Sequence, residues 1–188
     1  MLRVSAYLIF SLFLLVSTVS AAEIRGPSVR FDDGRVMVSA ALVLDEKHVE
    51  EIEKGVSKEI VFYVDLFRVW DTWPDEFVQG STFVQTLHCD PVKKEYVATS
   101  LNGVRLLEKR FSSCRRMLDW ALRIPEFSLA DTEELEPSRY FVKVTAESRL
   151  RRLPPFINLL FFFVREKEFS VSRNSPVFPV NMTDEEAR

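Results

Sequence analysis

Residues 45–70 read DEKHVEEIEKGVSKEIVFYVDLFRVW, a short polar-capped helix followed by a long apolar strand. Asp45 stands where an N-cap belongs, since its side chain can accept a hydrogen bond from the unpaired amides of a first helical turn. Val49, Ile52 and Val56 recur at intervals of three and four, while Glu50, Glu51, Glu53 and Lys54 keep the opposite face wet. Gly55 closes the helix, because a left-handed residue is needed there. From Lys58 the period becomes two. Ile60, Phe62, Val64 and Leu66 share one face, and Val61, Tyr63, Phe67 and Val69 share the other, interrupted by Asp65. A strand from Lys58 to Trp70 extends roughly 43 Å, well beyond the usual strand of about five or six residues. The reading is a central strand with both faces covered, bulged near Asp65.

The chain begins with a different kind of segment. Arg3 supplies a positive start, Tyr7 to Val16 is almost wholly apolar, and the small residues before Ala22 fit a processing site, so residues 1–22 read as a secretory signal. The uncharged run from Val4 to Ala22 is also long enough to remain as an inner-membrane anchor if it is not cleaved. The expected location is the periplasm. Without Arg3 the 25 basic residues become 24 against 28 acidic ones, which argues against nucleic acid as a partner. Residues 23–180 have the size of a single domain, and residues 181–188 form a polar tail. Sixteen phenylalanines make much of its core aromatic.

Strand and turn signals dominate that domain. Arg35 to Leu44 follows the Asp33-Gly34 turn and reads as the first strand. Thr82 to Cys89, Lys94 to Leu101 and Val104 to Phe111 read as a meander, with turns at Asp90-Pro91 and Asn102-Gly103, the latter a type I′ signal. Ser112 or Ser113 caps a second helix whose apolar face holds Cys114, Met117, Leu118, Ala121 and Leu122, with Pro125 just past its end. Phe127 to Leu129 adds a short strand, Asp131 to Glu136 a solvated acidic loop, and Arg139 to Ser148 another strand. Glu168 to Val171 and Val177 to Val180 close the chain along an edge, where Pro176 and Pro179 are tolerated. The fold class is therefore α+β, mainly antiparallel β, a sandwich-like or strongly bent sheet with two short helices packed on it.

Candidate sites are few. Cys89 and Cys114 are the two cysteines, and an exported chain favours a disulfide between them. Two strand spacings of about 9.6 Å exceed the roughly 7 Å limit between bridged α-carbons, so the bridge requires the helix to turn back over the sheet. His48 and His88 lack the paired ligand spacing of a metal site, and the five glycines form no phosphate-binding loop. No catalytic, metal or cofactor motif is present, so the chain reads as non-enzymatic. The alternative is a hydrolase-like site around Asp65, His88 and Trp73, which requires those side chains to converge. Trp70 and Trp73, in the turn-rich corner before Pro74, cap the core in the plainer reading and stack on a sugar ring in the other. Leu153 to Val164 is twelve residues without a charge, preceded by Arg149, Arg151 and Arg152. It is either buried core or a membrane or partner surface presenting Phe156, Phe161, Phe162 and Phe163.

The order of these features resembles a family of exported bacterial proteins called domain of unknown function 4390. The resemblance rests on the signal segment, Glu53-Lys54-Gly55-Val56 before the long strand, Tyr96-Val97, the helix from Ser112 to Ile124, Leu135-Glu136-Pro137-Ser138-Arg139-Tyr140 and Leu153-Pro154. It implies an exported, uncharacterised protein with no assigned catalytic residues; export, the lack of a catalytic constellation and the basic-apolar segment from Arg149 to Val164 point to an interaction or ligand-binding accessory of the envelope. It also implies a partner such as a membrane sensor kinase. The chain departs from the pattern at Arg173 to Val180, where an aromatic-rich ending is absent.

Overall fold

The computed structural model describes residues 22–150 and 167–182. Ten strands and two short helices follow in order: β1 (Ala22–Asp32), β2 (Arg35–Leu44), α1 (Glu46–Glu53), β3 (Lys58–Arg68), β4 (Glu76–Asp90), β5 (Glu95–Asn102), β6 (Arg105–Phe111), α2 (Cys114–Ala121), β7 (Arg123–Asp131), β8 (Ser138–Leu150), β9 (Lys167–Asn174) and β10 (Phe178–Val180). They form mainly antiparallel sheets in a sandwich-like arrangement, as the periodicity predicts. The large sheet has the order β10-β8-β3-β4-β5-β6, and β9 shares the outer edge of β8 with β10. The small sheet is β1-β2-β7.

The predicted central strand is central. β3 lies between β4 and β8, paired antiparallel with both along its whole length. Its Ile60, Phe62, Val64 and Leu66 are all fully buried. Removing four such side chains from water contributes on the order of 6–12 kcal/mol before entropy is counted, comparable to the whole net stability of a domain. This inner face packs toward the small sheet, where Phe83 of β4 meets Phe127 of β7 edge to face at 4.9 Å. From β8, Tyr140, Val142, Val144 and Ala146 complete the same layer. The face of α2 read from the sequence is buried with it, including Met117, Leu118 and Ala121.

Local chemistry explains the boundaries. Asp45 is extended, and its carboxylate accepts from the His48 amide at 2.9 Å, which starts α1. Gly55, at φ +96°, ends it. Asp33 and Gly34 both have positive φ between Asp32 and Arg35, as a type I′ hairpin turn requires. Ser113 caps α2 by accepting from the Arg116 amide.

Several expectations are corrected. A strand, β1, precedes the one read as first, and it carries a bulge at Gly26-Pro27 where the peptide is cis. β3 stops at Arg68, because the next residues enter the corner before β4. The bulge expected in β3 near Asp65 sits on the partner strand instead: Leu66 faces Gln79 and Phe67 faces Phe77, so Val78 of β4 is the extra residue. Asn102 pairs with Arg105, which makes Gly103-Val104 the centre of the hairpin turn rather than Asn102-Gly103. β7 is nine residues long, where a short strand from Phe127 to Leu129 is expected, and it takes in Pro125, which lies just past α2 as its position predicts. Residues 1–21 of the predicted signal, the segment 153–164 and the tail beyond residue 182 lie outside the described residues, whereas Ala22, the last residue of that signal, opens β1.

The Asp45 cap gives a pH-dependent expectation. The amide hydrogen bond from His48 holds the Asp45 carboxyl below its ordinary range. A depressed acid stabilises the fold above its unfolded pKa, and that contribution is lost as pH falls through the folded pKa. Asp45→Ala therefore lowers unfolding free energy by about 1 kcal/mol at neutral pH. In urea titrations that difference narrows as the acid limb is reached, whereas Asp45→Asn, which keeps an acceptor, loses much less at neutral pH.

Candidate interaction site

The inner face of β3 is in phase with Lys58, and that phase places a lysine in the interior. Its side chain is fully buried, and its ammonium donates to Glu51 of α1 at 2.6 Å and to both oxygens of Glu168 of β9 at 2.9 Å. Ser148 of β8 donates to Glu168 at 2.8 Å. Beside them the buried His48 ring contacts the Asp45 carboxylate at 2.5 Å and packs edge to face on Phe169. Buried charges persist only when paired and hydrogen bonded, and here each charged partner comes from a different element. The cluster is a clamp joining α1, β3, β8 and β9. The period-two phase of Lys58 with Ile60 is a sequence signal for its burial; the partner 110 residues away has no such signal.

The hydrolase-like alternative does not assemble. Asp65 faces Gly80 across β3 and β4, and His88 lies eight residues further along β4, about 26 Å away at 3.3 Å per residue. Trp73 is in the corner at the opposite end from His88 and is 76% exposed. His88 instead contacts Ser57 through Nδ1 at 2.9 Å on the exposed surface. The neighbouring Asp90 carboxylate accepts from the Val92 and Lys93 amides, so it closes the turn. The tryptophans do not cap the core either. Trp70 is 45% exposed, under the Arg68 guanidinium at 4.8 Å, and its indole N–H donates to Glu76 at 3.2 Å.

Arg149 belongs to the sheet. Its guanidinium donates to the Tyr63 hydroxyl at 2.9 Å and lies 3.6 Å from Glu147 and 3.9 Å from Glu59. Two carboxylates thus balance the charge that was to draw it to a lipid surface. Arg151, Arg152, Phe156, Phe161, Phe162 and Phe163 lie outside the described residues. Cys89 and Cys114 are both buried and free. Among the described residues no group of three or more His, Cys, Asp and Glu side chains could hold a metal ion, and no helix is long and apolar enough to cross a membrane.

What stands out is the second face of β3. Opposite the small sheet, a row of aliphatic side chains crosses four strands: Val61, Val84, Leu101 and Leu106 are successive partners in the register. Exposure rises along it, from the buried Val61 to Leu106 at 67%. About 20 Å along β3 from Val61 the aromatic rings of Phe67, Phe77 and Phe141 gather. Phe67 stacks on Phe141 at 5.3 Å and meets Phe77 edge to face at 5.9 Å, while Phe77 remains 57% exposed. Single exposed apolar residues are ordinary on a protein surface, but contiguous apolar patches mark interaction sites.

Asp65 lies between these two groups. A Cβ added to Gly80 would fall 2.3 Å from Asp65 Oδ1, so the absence of a side chain at Gly80 is what gives the carboxylate its place. Burial pushes the Asp65 carboxyl above its ordinary range, and the nearby Lys143 ammonium partly offsets this. The fold bears a destabilising charge on this face, between the aliphatic row and the aromatic cluster and beside Lys143 of β8.

The model of a family described as a domain of unknown function, DUF4390, matches residues 19–175. No curated protein and no solved structure matches the chain.

The sign of the Asp65 shift sets a test. An acid whose pKa is raised on folding destabilises the fold at pH values above its folded pKa, and the penalty disappears below the unfolded value near 3.9. Asp65→Asn raises the thermal midpoint at pH 7, and the gain shrinks to nothing on acidification, as calorimetry across that range will show.

Proposed function

We propose, for a chain that belongs to the DUF4390 family, that it is an exported, non-catalytic binding module whose large sheet docks on another protein of the bacterial envelope. The observation that carries this reading is the half-open second face of β3. Its aliphatic row and its aromatic cluster lie on one side of one sheet, with Asp65 between them. Interfaces of this kind draw their energy from a few large apolar anchors that become fully desolvated on binding. Phe77 and Leu106 are such anchors, exposed at opposite ends of the face.

The composition supports the same reading. An acidic chain with a clustered apolar face suits a protein partner better than a polyanion. The separation of Asp65, His88 and Trp73 removes the constellation on which the hydrolase-like alternative rested. The membrane sensor kinase implied by the family resemblance is the first partner to test.

Both anchors are exposed in the isolated fold, so changing them tests binding without disturbing the core. A photo-crosslinking residue placed at Phe77 or at Leu106 is expected to capture one and the same envelope protein, and one placed at Val92, exposed in the β4–β5 turn, to capture nothing above background. Leu106→Asp, at the more exposed anchor, weakens binding of that partner by about 2 kcal/mol or more, roughly thirtyfold, with the thermal midpoint unchanged. Equal capture from all three positions contradicts the proposal.

A further inference from the structure

Cys89 and Cys114 are brought together by the route of the chain between them. Cys89 lies on the inner face of β4 opposite Tyr96 of β5, and Tyr96 lies opposite Phe111 of β6. Phe111 is therefore about 9.6 Å from Cys89, two strand spacings away. Only Ser112 and Ser113 then precede Cys114. Ser113 caps α2, and α2 turns back across the inner face to pack on β6, β5 and β4. This is the fold-back that the strand spacing demanded. It carries Cys114 from the edge back toward Cys89, and both side chains are buried in the same core cluster. The Cys89 thiol also points at the Glu53 carbonyl, 3.8 Å away, beneath the end of α1.

We propose that Cys89 and Cys114 form an intramolecular disulfide in the exported protein, stapling α2 to β4. The proposal rests on the export in the functional reading above. The chain has two cysteines, so only one internal pairing exists. In the reaction one Sγ–Sγ bond forms, and the two thiols give up two protons and two electrons. A disulfide-class oxidant takes these up as its own S–S bond breaks to two thiols, with a mixed disulfide as intermediate. Burial holds both thiols in the protonated state, with Cys114 pushed up to about 12. The thiolate is the attacking species, so exchange on the closed fold is slow and the bond forms while α2 is undocked.

The test is made on the full chain, expressed in a bacterium with an oxidising periplasm. Cells are fractionated, and each fraction is denatured in an alkylating reagent with and without reductant. In the envelope or periplasmic fraction the expected result is no alkylation before reduction and two alkylated cysteines after it. Proteolysis of the unreduced protein is expected to yield a linked Cys89–Cys114 species that reduction separates into two peptides, each carrying one thiol and together heavier by two hydrogens. Reductant lowers the thermal midpoint of the wild type and leaves that of Cys89→Ser where it was. Exported protein in which both cysteines alkylate without reductant overturns the disulfide while leaving export intact. If the chain is found only in the cytoplasm, the export reading fails. The purified full chain is then refolded from denaturant in glutathione disulfide, so that α2 docks in the presence of the oxidant: the linked peptide supports the pairing, and free thiols or glutathione adducts without that peptide overturn it.

Discussion

The fold depends on keeping one face of β3 dry. Ile60, Phe62, Val64 and Leu66 supply hydrophobic stabilisation of the same order as the net stability of a domain, and they can do so only if a second layer covers them. The small sheet β1-β2-β7 and helix α2 provide that layer. At the start of the same strand, Lys58 continues the inward phase with a charge, and its carboxylate partners come from α1 and β9. One strand thus sets both the apolar core and the polar clamp that joins its flanking elements.

The opposite face follows a different logic. β4 and β8 pair with β3 along its whole length, so side chains on that face have lateral neighbours but only partial cover from above. Beside β8 this face is polar, with Lys143, Glu147 and Arg149 next to β3, but toward β6 and at the Phe77 corner a monomer with no further use for it would gain by placing polar groups as well. There it carries a row of two valines and two leucines and a cluster of three phenylalanines, and it makes room at Gly80 for a carboxylate that burial penalises. Natural proteins sit close to their stability threshold, and groups that reduce stability are retained where function requires them. The local physics of the face and its reading as a docking surface agree.

Much of the fold was legible because local signals and tertiary packing agreed. The Asp45 cap, the Gly55 stop, β2 from Arg35 to Leu44 and the apolar face of α2 all depend on residues within a few positions of one another. β1 was missed because its burial alternates irregularly around the Gly26-Pro27 bulge, and it follows directly on the apolar N-terminal run of the sequence. Pro125 lies past the end of α2 as its position predicts, yet it also fits within β7, so the strand begins earlier than Phe127. The candidate site was only half legible. Period-two counting gave β3 two apolar faces, but the choice of which face is covered depends on pairings between distant strands. Asp65 was singled out as an interruption, while the Gly80 space that accommodates it, fifteen residues away in sequence, carried no local signal.

The central claim is that the second face of β3 is open in the isolated protein and occupied in the envelope. Covalent footprinting with a photoactivated carbene, read by mass spectrometry on the purified chain and on intact cells, tests this most directly. The account predicts strong labelling of Phe77, Leu101 and Leu106 in the purified protein and clear protection of those three residues in cells, with Val92 labelled equally in both. Equal labelling of the sheet face in both settings would contradict it.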